Sequence, residues 1–269
     1  LDDDGGSQSG AISVHSLADG SLLARLSSPG LETRSGEVLL SPGDLNQDGV
    51  PDLVAASAFA SQVRAWSGAW IAAIAAGQTP VGAPVLWSHA GASGSDLGRA
   101  LARLGDLDQD GVADLAVGAP FDGPADGPAG RLWLLSGRTG SVLGSLAGAA
   151  AGERFAECLS NPGDVDGDGL PELGLSAPGA AARRGRIALL RGQALAALVQ
   201  GSSGPALELW SRQGAAPGEG LGSALVGGGD LNGDGVGDLA GTSLSFGATG
   251  SQARVALWSG ANGAALGSY

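Results

Sequence analysis

The stretch Asp106-Leu-Asp-Gln-Asp-Gly-Val-Ala-Asp114 runs directly into the apolar segment Leu115-Ala-Val-Gly-Ala119. Carboxylates occupy positions 1, 3, 5 and 9 of this nine-residue loop, and glycine occupies position 6, where a tight loop needs a residue without Cβ. The pattern begins again at Asp44, Asp164 and Asp230, so the chain carries it four times. Oxygen ligands that converge in a flexible loop are what Ca²⁺ binds. Four copies in register therefore predict four calcium-binding loops.

We number these loops 1 to 4, at residues 44–52, 106–114, 164–172 and 230–238. The predicted ligands of each Ca²⁺ are the side-chain oxygens at positions 1, 3, 5 and 9 and the backbone carbonyl at position 7. They are Asp44, Asn46, Asp48, Val50 and Asp52 in loop 1; Asp106, Asp108, Asp110, Val112 and Asp114 in loop 2; Asp164, Asp166, Asp168, Leu170 and Glu172 in loop 3; and Asp230, Asn232, Asp234, Val236 and Asp238 in loop 4. Loops 1 and 4 have asparagine at position 3 and hold three acids each, so with equal geometry they should bind Ca²⁺ more weakly than loops 2 and 3.

An EF-hand opens with the same pattern, but it needs a bidentate glutamate at position 12 and flanking helices. Position 12 is here alanine, valine, leucine or glycine, and strand-like segments such as residues 52–57 follow the loops. These features exclude the EF-hand and predict that each loop joins two strands of a hairpin. The apolar side chains at positions 2 and 7 are then expected to enter the core. Those at position 2 are Leu45, Leu107, Val165 and Leu231.

The loops recur about every 60 residues, which is typical of a propeller or another repeat fold. Each unit holds an apolar strand before the loop, a second strand after it, a third such as residues 131–137 and a fourth such as residues 141–146. In two units the connection between the third and fourth strands is longer, at residues 68–77 and 192–201, and predicts a short helix. Four short strands with glycine-rich turns describe a propeller blade. The sequence therefore predicts an all-β fold, a β-propeller of four-stranded antiparallel blades.

The predicted propeller is one domain, residues 1–269, with four complete blades and a leading half blade, and we expect it to be part of a larger propeller. The half blade is placed at residues 1–30 and the complete blades at about 31–90, 91–148, 149–212 and 213–269. Two isolated apolar strands are only marginally stable. Residues 1–26 should therefore either pack face-on against residues 35–57 or pair with another chain. Asp2 to Asp4 lack the rest of the loop pattern and are expected to form an ordinary loop.

The segment from Gly105-Asp-Leu-Asp to Gly118-Ala-Pro120, with the later turn from Ser136 to Gly140, resembles the FG-GAP repeats of integrin α-subunit propellers and their bacterial relatives. The resemblance covers nearly the whole chain, although the Gly-Ala-Pro tail is intact only at residues 118–120. It implies that the acidic loop of each repeat joins the first two strands of a blade and binds Ca²⁺. About four Ca²⁺ ions, one per loop, are the expected cofactor. No catalytic residue and no organic cofactor site is expected.

The net charge is −13 at pH 7, and more than half of the 27 acidic residues lie in the four loops. This acidity argues against a nucleic-acid partner, which needs a basic face. No apolar run approaches the roughly 20 residues of a membrane span, and a single cysteine, Cys158, excludes an intrachain disulfide framework. Because methionine and a signal-peptide pattern are both missing, we expect a processed or excised segment of an exported protein. The expected location is secreted or at the cell surface, either extracellular or periplasmic.

These features predict a non-enzymatic, extracellular, calcium-binding propeller that serves in cell adhesion, in interaction or as a structural part of a surface. Its partner would be a protein or glycan ligand at the cell surface. A second hypothesis is a carbohydrate-binding or carbohydrate-active module with exposed tryptophans. Its candidates, for which packing between blades is the simpler interpretation, are Trp66, Trp87, Trp133, Trp210 and Trp258. A third hypothesis is a subunit of an extracellular filament or assembly, formed by self-association through residues 1–26.

Overall fold

The computed structural model describes residues 10–27, 34, 36–247 and 250–268, so the prediction for Asp2 to Asp4 lies outside the described residues. Most of the regular secondary structure in the described chain consists of short strands. The strands are β1 (Ala11–His15), β2 (Leu22–Ser27), β3 (Val38–Gly43), β4 (Asp52–Ser57), β5 (Gln62–Trp66), β6 (Val85–Ala90), β7 (Ala100–Arg103), β8 (Leu115–Ala119), β9 (Arg131–Leu135), β10 (Val142–Ala147), β11 (Leu159–Ser160), β12 (Leu173–Ala177), β13 (Arg186–Leu190), β14 (Glu208–Gln213), β15 (Leu225–Gly229), β16 (Asp238–Gly247), β17 (Gly250–Trp258) and β18 (Ala265–Ser268). The helices are α1 (Gly68–Ala75), α2 (Ala180–Arg183) and α3 (Gly192–Val199), and none of these is long and apolar enough to cross a membrane.

Strands β3 to β18 form four antiparallel sheets of four strands each, and within every sheet the strands are paired in chain order. The first strands of consecutive sheets lie beside each other, since β3 contacts β7, β7 contacts β11 and β11 contacts β15. This is the arrangement of consecutive propeller blades, and we refer to the sheets as blades 1 to 4. The predicted all-β fold with four-stranded antiparallel blades is confirmed.

The hydrophobic core lies between neighbouring blades. One cluster of buried side chains joins blades 1 and 2, a second joins blades 2 and 3, and a third joins blades 3 and 4. Strands inside this stack are covered on both faces, so their residues are apolar without alternation. Every residue of β8 is buried, for example. Contact between blades therefore stabilises the fold, and each blade needs a neighbour.

The apolar residue at position 2 of a loop packs against the blade that follows. Leu45, Leu107 and Val165 are buried as predicted, whereas the prediction is wrong for Leu231, whose side chain is 57% exposed. The reason is the neighbouring blade. Leu45 lies against the end of the third strand of blade 2, where a Cβ on Gly137 would come within 3.1 Å of it. Among the described residues no blade follows blade 4, so Leu231 has nothing to cover it.

Two kinds of contact alternate between the blades. In the first kind, a tryptophan on the fourth strand of one blade meets the tight turn between the third and fourth strands of the next. Trp87 of blade 1 donates from its indole Nε1 to the carbonyl oxygen of Gly137 in blade 2 at 2.8 Å, and Trp210 of blade 3 donates to Gly260 in blade 4 at 2.6 Å. A Cβ on Gly140 of the turn would lie 2.5 Å from the Trp87 ring, so the turn requires glycine there.

In the second kind of contact, the last strand of one blade meets a helix of the next. Blades 1 and 3 carry α1 and α3 between their third and fourth strands, where the sequence predicted short helices. Strand β10 of blade 2 packs on α3, and β2 packs in the same way on α1. Strands β1 and β2 form a two-stranded sheet, and Ile12 and Leu26 from it are buried with Ala55 and Trp66 of blade 1. The described part of residues 1–26 thus follows the first expectation and packs against blade 1.

Replacing Ile12 by alanine should lower the free energy of unfolding by about 2 kcal/mol, because a buried apolar side chain is truncated where β1 meets blade 1. Leu17, in the turn of the same hairpin, is fully exposed and provides a matched control. Leu17→Ala should change the stability by less than about 0.5 kcal/mol. Urea unfolding of both variants measures the difference. Equal effects of the two substitutions would show that the hairpin is not seated on blade 1.

Candidate metal centres

The aspartate at position 1 is the centre of a hydrogen-bond network in every loop. In loop 2, Oδ1 of Asp106 accepts the Asp110 N–H at 2.9 Å, and Oδ2 accepts the Gly111 N–H at 2.8 Å. The same two bonds recur at Asp44, Asp164 and Asp230. The glycines at position 6 have φ between 85° and 96°, which residues with a Cβ rarely adopt. The repeated sequence pattern therefore folds into the same curled loop four times.

The carboxylate at position 9 is buried in all four loops and ties the loop to the end of the third strand of its blade. In loop 2, Oδ2 of Asp114 accepts the Leu107 N–H at 2.7 Å, and Oδ1 accepts the Gly137 N–H at 3.1 Å. Equivalent pairs of bonds are made by Asp52, Glu172 and Asp238. Each of these acids satisfies backbone donors that would otherwise be buried without a partner. Position 9 is thus a structural element of the blade in addition to a predicted ligand.

Loops 2 and 3 bring their carboxylates together. One oxygen from each of Asp164, Asp166, Asp168 and Glu172 lies within 4.8 Å of the others, and the same holds for Asp106, Asp108 and Asp114. Two ligands that each lie 2.3–2.6 Å from one ion are at most about 5 Å apart. The spacing of the oxygens in loops 2 and 3 therefore fits a single bound Ca²⁺. Among the described residues, these two loops are the only ones with three or more acids in such a group.

Loops 1 and 4 use their asparagines to bridge positions 3 and 5. The side-chain Nδ2 of Asn46 donates to Oδ2 of Asp48 at 2.9 Å, and Asn232 donates to Asp234 at the same distance. The Oδ1 atoms of both asparagines accept the N–H at position 5. In these loops the amide group takes part of the place that a cation would fill. Binding of Ca²⁺ would require that the Asn46 and Asn232 amides release the carboxylates at position 5.

Two arginines bind carboxylates of loops 2 and 3, and the sequence did not predict these contacts. The Nε of Arg138 donates to Oδ2 of Asp110 at 3.1 Å, and Nη1 of Arg191 donates to Oδ2 of Asp166 at 2.6 Å. Asp110, a predicted ligand, is not part of the carboxylate group of loop 2, whereas Asp166 belongs to the group of loop 3 although Arg191 binds it. The sequence feature that could have predicted these contacts is an arginine directly next to the glycine after the third strand, in Gly137-Arg138 and Arg191-Gly192.

The apolar residues at position 7 meet the core to different degrees. Val112 is buried, while Leu170 and Val236 are half-buried and pack against core clusters. Val50 is also half-buried. The carbonyl groups of these residues stay predicted ligands.

Burial shifts the titration of the loop acids. It raises the pKa of Asp114 to about 6, because desolvation outweighs the stabilising N–H groups of Gly137 and Leu107. Burial likewise raises the pKa of Asp108 and of Glu172. Loop 4 differs, since the N–H of Gly235 lowers the pKa of the exposed Asp230. A divalent cation would offset the cost of ionising the buried carboxylates in loops 2 and 3.

Calcium binding at loop 2 should weaken about tenfold between pH 7 and pH 5. The pKa of Asp114 is about 6 in the cation-free protein, so at pH 5 most molecules carry a proton that Ca²⁺ must displace. In loop 4 the lowered pKa of Asp230 keeps that carboxylate ionised over this range. Calcium titrations at both pH values, followed by the NMR signals of the Gly111 and Gly235 amides, compare the two loops. An equal loss of affinity in both loops would contradict the assignment to Asp114.

The tryptophans of the carbohydrate hypothesis do not form an exposed platform. Trp66, Trp87, Trp210 and Trp258 are buried, and Trp133 is half-buried. Four glutamates outside the loops are also engaged within the chain. Glu153 accepts the backbone N–H groups of residues 149 and 150. Glu157 pairs with Arg154, and Glu208 pairs with Arg186. Glu219 accepts a backbone N–H group. Burial raises the pKa of the Cys158 thiol, which therefore stays protonated and unreactive at neutral pH.

Comparison with known proteins agrees with this fold and these loops. Residues 97–135, which include loop 2, match the sequence model of the FG-GAP repeat. Human integrin alpha-7 is 38% identical over 140 residues, which are 50% of this chain and 11% of that protein. Integrin alpha-4 of Xenopus laevis is 30% identical over 146 residues, 50% of this chain and 13% of that protein. The crystal structure of Saccharomyces cerevisiae Sqt1 matches 97% of this chain and 56% of its own with a TM-score of 0.53 at 12% identity, a likeness of fold alone.

The fold is that of consecutive propeller blades, and the segment that holds loop 2 is similar to the FG-GAP repeat. Together with the matches to integrin α-subunits over half of the chain, this similarity supports an integrin-like FG-GAP propeller. The chain spans only 11% and 13% of the length of the two integrins, so the similarity concerns their repeats and not the whole proteins.

Proposed function

We propose that this chain is a calcium-binding β-propeller that acts outside the cell, without enzymatic activity, as an adhesion or interaction module. The observation that carries the proposal is the grouping of carboxylate oxygens within 4.8 Å of one another in loops 2 and 3. Four repeats of one loop sequence extend the proposal to loops 1 and 4. Open loops of oxygen ligands typically bind Ca²⁺ at the roughly 0.1–1 mM affinities of extracellular modules. Similarity to integrin α-subunits supports the same location, secreted or at the cell surface.

Bound Ca²⁺ would stabilise the propeller by joining the carboxylates of a loop that connects the first two strands of a blade. Each loop contains three or four acids, whose negative charges repel one another at neutral pH. The ion would cancel this repulsion while the position-9 carboxylate keeps the loop tied to the third strand. Four such hairpins at equivalent places would make the whole stack of blades rigid, which suits a protein that presents a surface to a partner.

Two observations support a role in binding rather than catalysis. Glu153, Glu157 and Glu208, three of the acids outside the loops, are each held by a hydrogen bond or ion pair within the chain. His15 is exposed and His89 lies in a different blade, so the histidines do not form a shared site. We infer that the partner is a protein, by analogy with the integrin repeats, because the buried tryptophans argue against a sugar-stacking surface.

Isothermal titration of EDTA-treated protein with CaCl₂ tests the metal sites directly. We expect about four ions per chain with dissociation constants on the order of 0.1–1 mM. The control is a variant with alanine in place of the position-1 aspartates Asp44, Asp106, Asp164 and Asp230, which should not bind. Absence of calcium binding by the wild-type protein would overturn the proposal.

A glycan array probed with the calcium-loaded protein tests the choice of partner. We expect no signal above that of the EDTA-treated protein, because the described structure offers no exposed row of tryptophans. Calcium-dependent binding to a defined glycan would instead support the carbohydrate hypothesis.

A further inference from the structure

An arginine binds each of the two loops that have a fourth acid, and these are loops 2 and 3. Loops 2 and 3 have four carboxylates each, and each receives one arginine, Arg138 on Asp110 and Arg191 on Asp166. Loops 1 and 4 have three carboxylates, and the described ion pairs place no arginine on them. Four negative charges with one positive charge, and three negative charges alone, both give a net charge of −3. All four loops thus carry the same net charge although their sequences differ.

The position-9 carboxylate places each arginine beside its loop. Asp114 binds the N–H of Gly137, and Arg138 follows at once. Glu172 binds the N–H of Gly192, and Arg191 comes directly before it. The residue that corresponds to Arg138 in blade 4 is Ala261, in the matching turn Ser-Gly-Ala-Asn-Gly at residues 259–263. Because the backbone anchor is shared by all the blades, an arginine at this place reduces the net negative charge of the adjacent loop by one.

The guanidinium of Arg138 competes with a cation for the same oxygens. Its Nε binds Oδ2 of Asp110, and its Nη2 binds the backbone carbonyl of Asp110 at 2.7 Å. The other oxygen, Oδ1, accepts the Val112 N–H at 2.9 Å, so both side-chain oxygens of Asp110 are engaged. A Ca²⁺ ion in loop 2 would have to share Asp110 with Arg138 or bind with one ligand fewer, and the positive charge of the guanidinium repels it in both cases.

We propose that Arg138 and Arg191 set the calcium affinity of their loops, as built-in counter-cations that lower the affinity of loops 2 and 3 to that of loops 1 and 4. This inference rests on the proposed function, since it requires that the loops bind Ca²⁺. It changes the expected order of the calcium affinities of the four loops. The number of acids alone makes loops 2 and 3 the tighter sites, whereas equal net charge means that all four loops fill over one range of calcium concentration.

The test is a calcium titration of ¹⁵N-labelled full chain, followed at the amides of Gly49, Gly111, Gly169 and Gly235. Each of these amides donates to the position-1 carboxylate of its own loop, so each signal reports one site. In the wild-type protein we expect the four dissociation constants to agree within about threefold. Arg138→Gln should tighten loop 2 roughly three- to tenfold and leave the other loops unchanged. This difference should shrink in 1 M salt, since the effect is electrostatic.

Two further variants complete the test. Ala261→Arg adds the missing arginine beside loop 4 and should weaken calcium binding at Gly235 by a similar factor. Arg186→Gln removes one positive charge at the far end of β13, where Arg186 pairs with Glu208, and should change no loop. Unchanged or weaker binding at loop 2 in Arg138→Gln, with unchanged binding at loop 4 in Ala261→Arg, would overturn the inference. Failure of all four loops to respond to Ca²⁺ in the wild-type protein would instead refute the proposed function. If Arg138→Gln does not fold, the calcium affinity of loop 4 in Ala261→Arg tests the inference by itself.

Discussion

Excess EDTA should lower the melting temperature of the calcium-loaded protein by about 10 °C or more. A site that binds Ca²⁺ only in the folded state adds RT ln(1 + [Ca²⁺]/Kd), which is on the order of 1–3 kcal/mol per site at about 10 mM calcium when Kd is about 0.1–1 mM. Four sites together contribute several kcal/mol, and in a domain of this size each kcal/mol shifts the melting temperature by about 2–4 °C. Differential scanning calorimetry with and without EDTA measures the shift.

The control for this experiment is the variant in which Asp44, Asp106, Asp164 and Asp230 are all replaced by alanine. Its melting curve should not respond to EDTA, because the position-1 ligand is missing from every loop. A wild-type melting curve that is the same in calcium and in EDTA would mean that the loops fold on their own hydrogen bonds and bind no ion.

Asp114→Ala should destabilise the protein by about 2–4 kcal/mol even in EDTA. The N–H groups of Leu107 and Gly137 would lose their acceptor inside a buried site. Removal of a carboxylate whose pKa is raised to about 6 by burial offsets part of this loss at pH 7. Urea unfolding in the absence of calcium isolates the structural role of Asp114, since no ion is present to be lost.

Asp106→Ala is the matched control in the same loop. Asp106 is also a predicted ligand, but its backbone partners lie in the accessible part of loop 2 and can bind water instead. We expect this substitution to cost less than about 1 kcal/mol in EDTA, and to abolish calcium binding at loop 2. If the two substitutions destabilise the calcium-free protein equally, position 9 has no structural role beyond that of an ordinary ligand.

The local parts of this structure could be predicted from the sequence, because all their determinants lie within a few residues. The loop from Asp106 to Asp114 carries its acids, its glycine and its backbone donors in one nine-residue segment, so the pattern fixes the geometry. The strands that flank it are equally local. The helices α1 and α3 were found as apolar inserts between predicted strands.

What the sequence did not predict depends on contacts between distant segments. The pairing of Arg138 with Asp110 joins residues 28 positions apart, and it follows from the hydrogen bond between Asp114 and Gly137. The exposure of Leu231 depends on a neighbouring blade that the loop sequence does not encode. The bridging amides of Asn46 and Asn232 depend on a choice of side-chain rotamer. Residue type alone does not decide any of these features.

The two kinds of contact between blades restrict how a propeller of this type can gain or lose blades. If blade 2 were removed alone, Trp87 would face α3 of blade 3, which offers no tight turn to accept its indole. If blades 2 and 3 were removed together, Trp87 would face the turn of blade 4, which already accepts Trp210. Insertions and losses should therefore be tolerated in pairs of blades. A chimaera that gains or loses an odd number of blades would place two faces in contact that do not match.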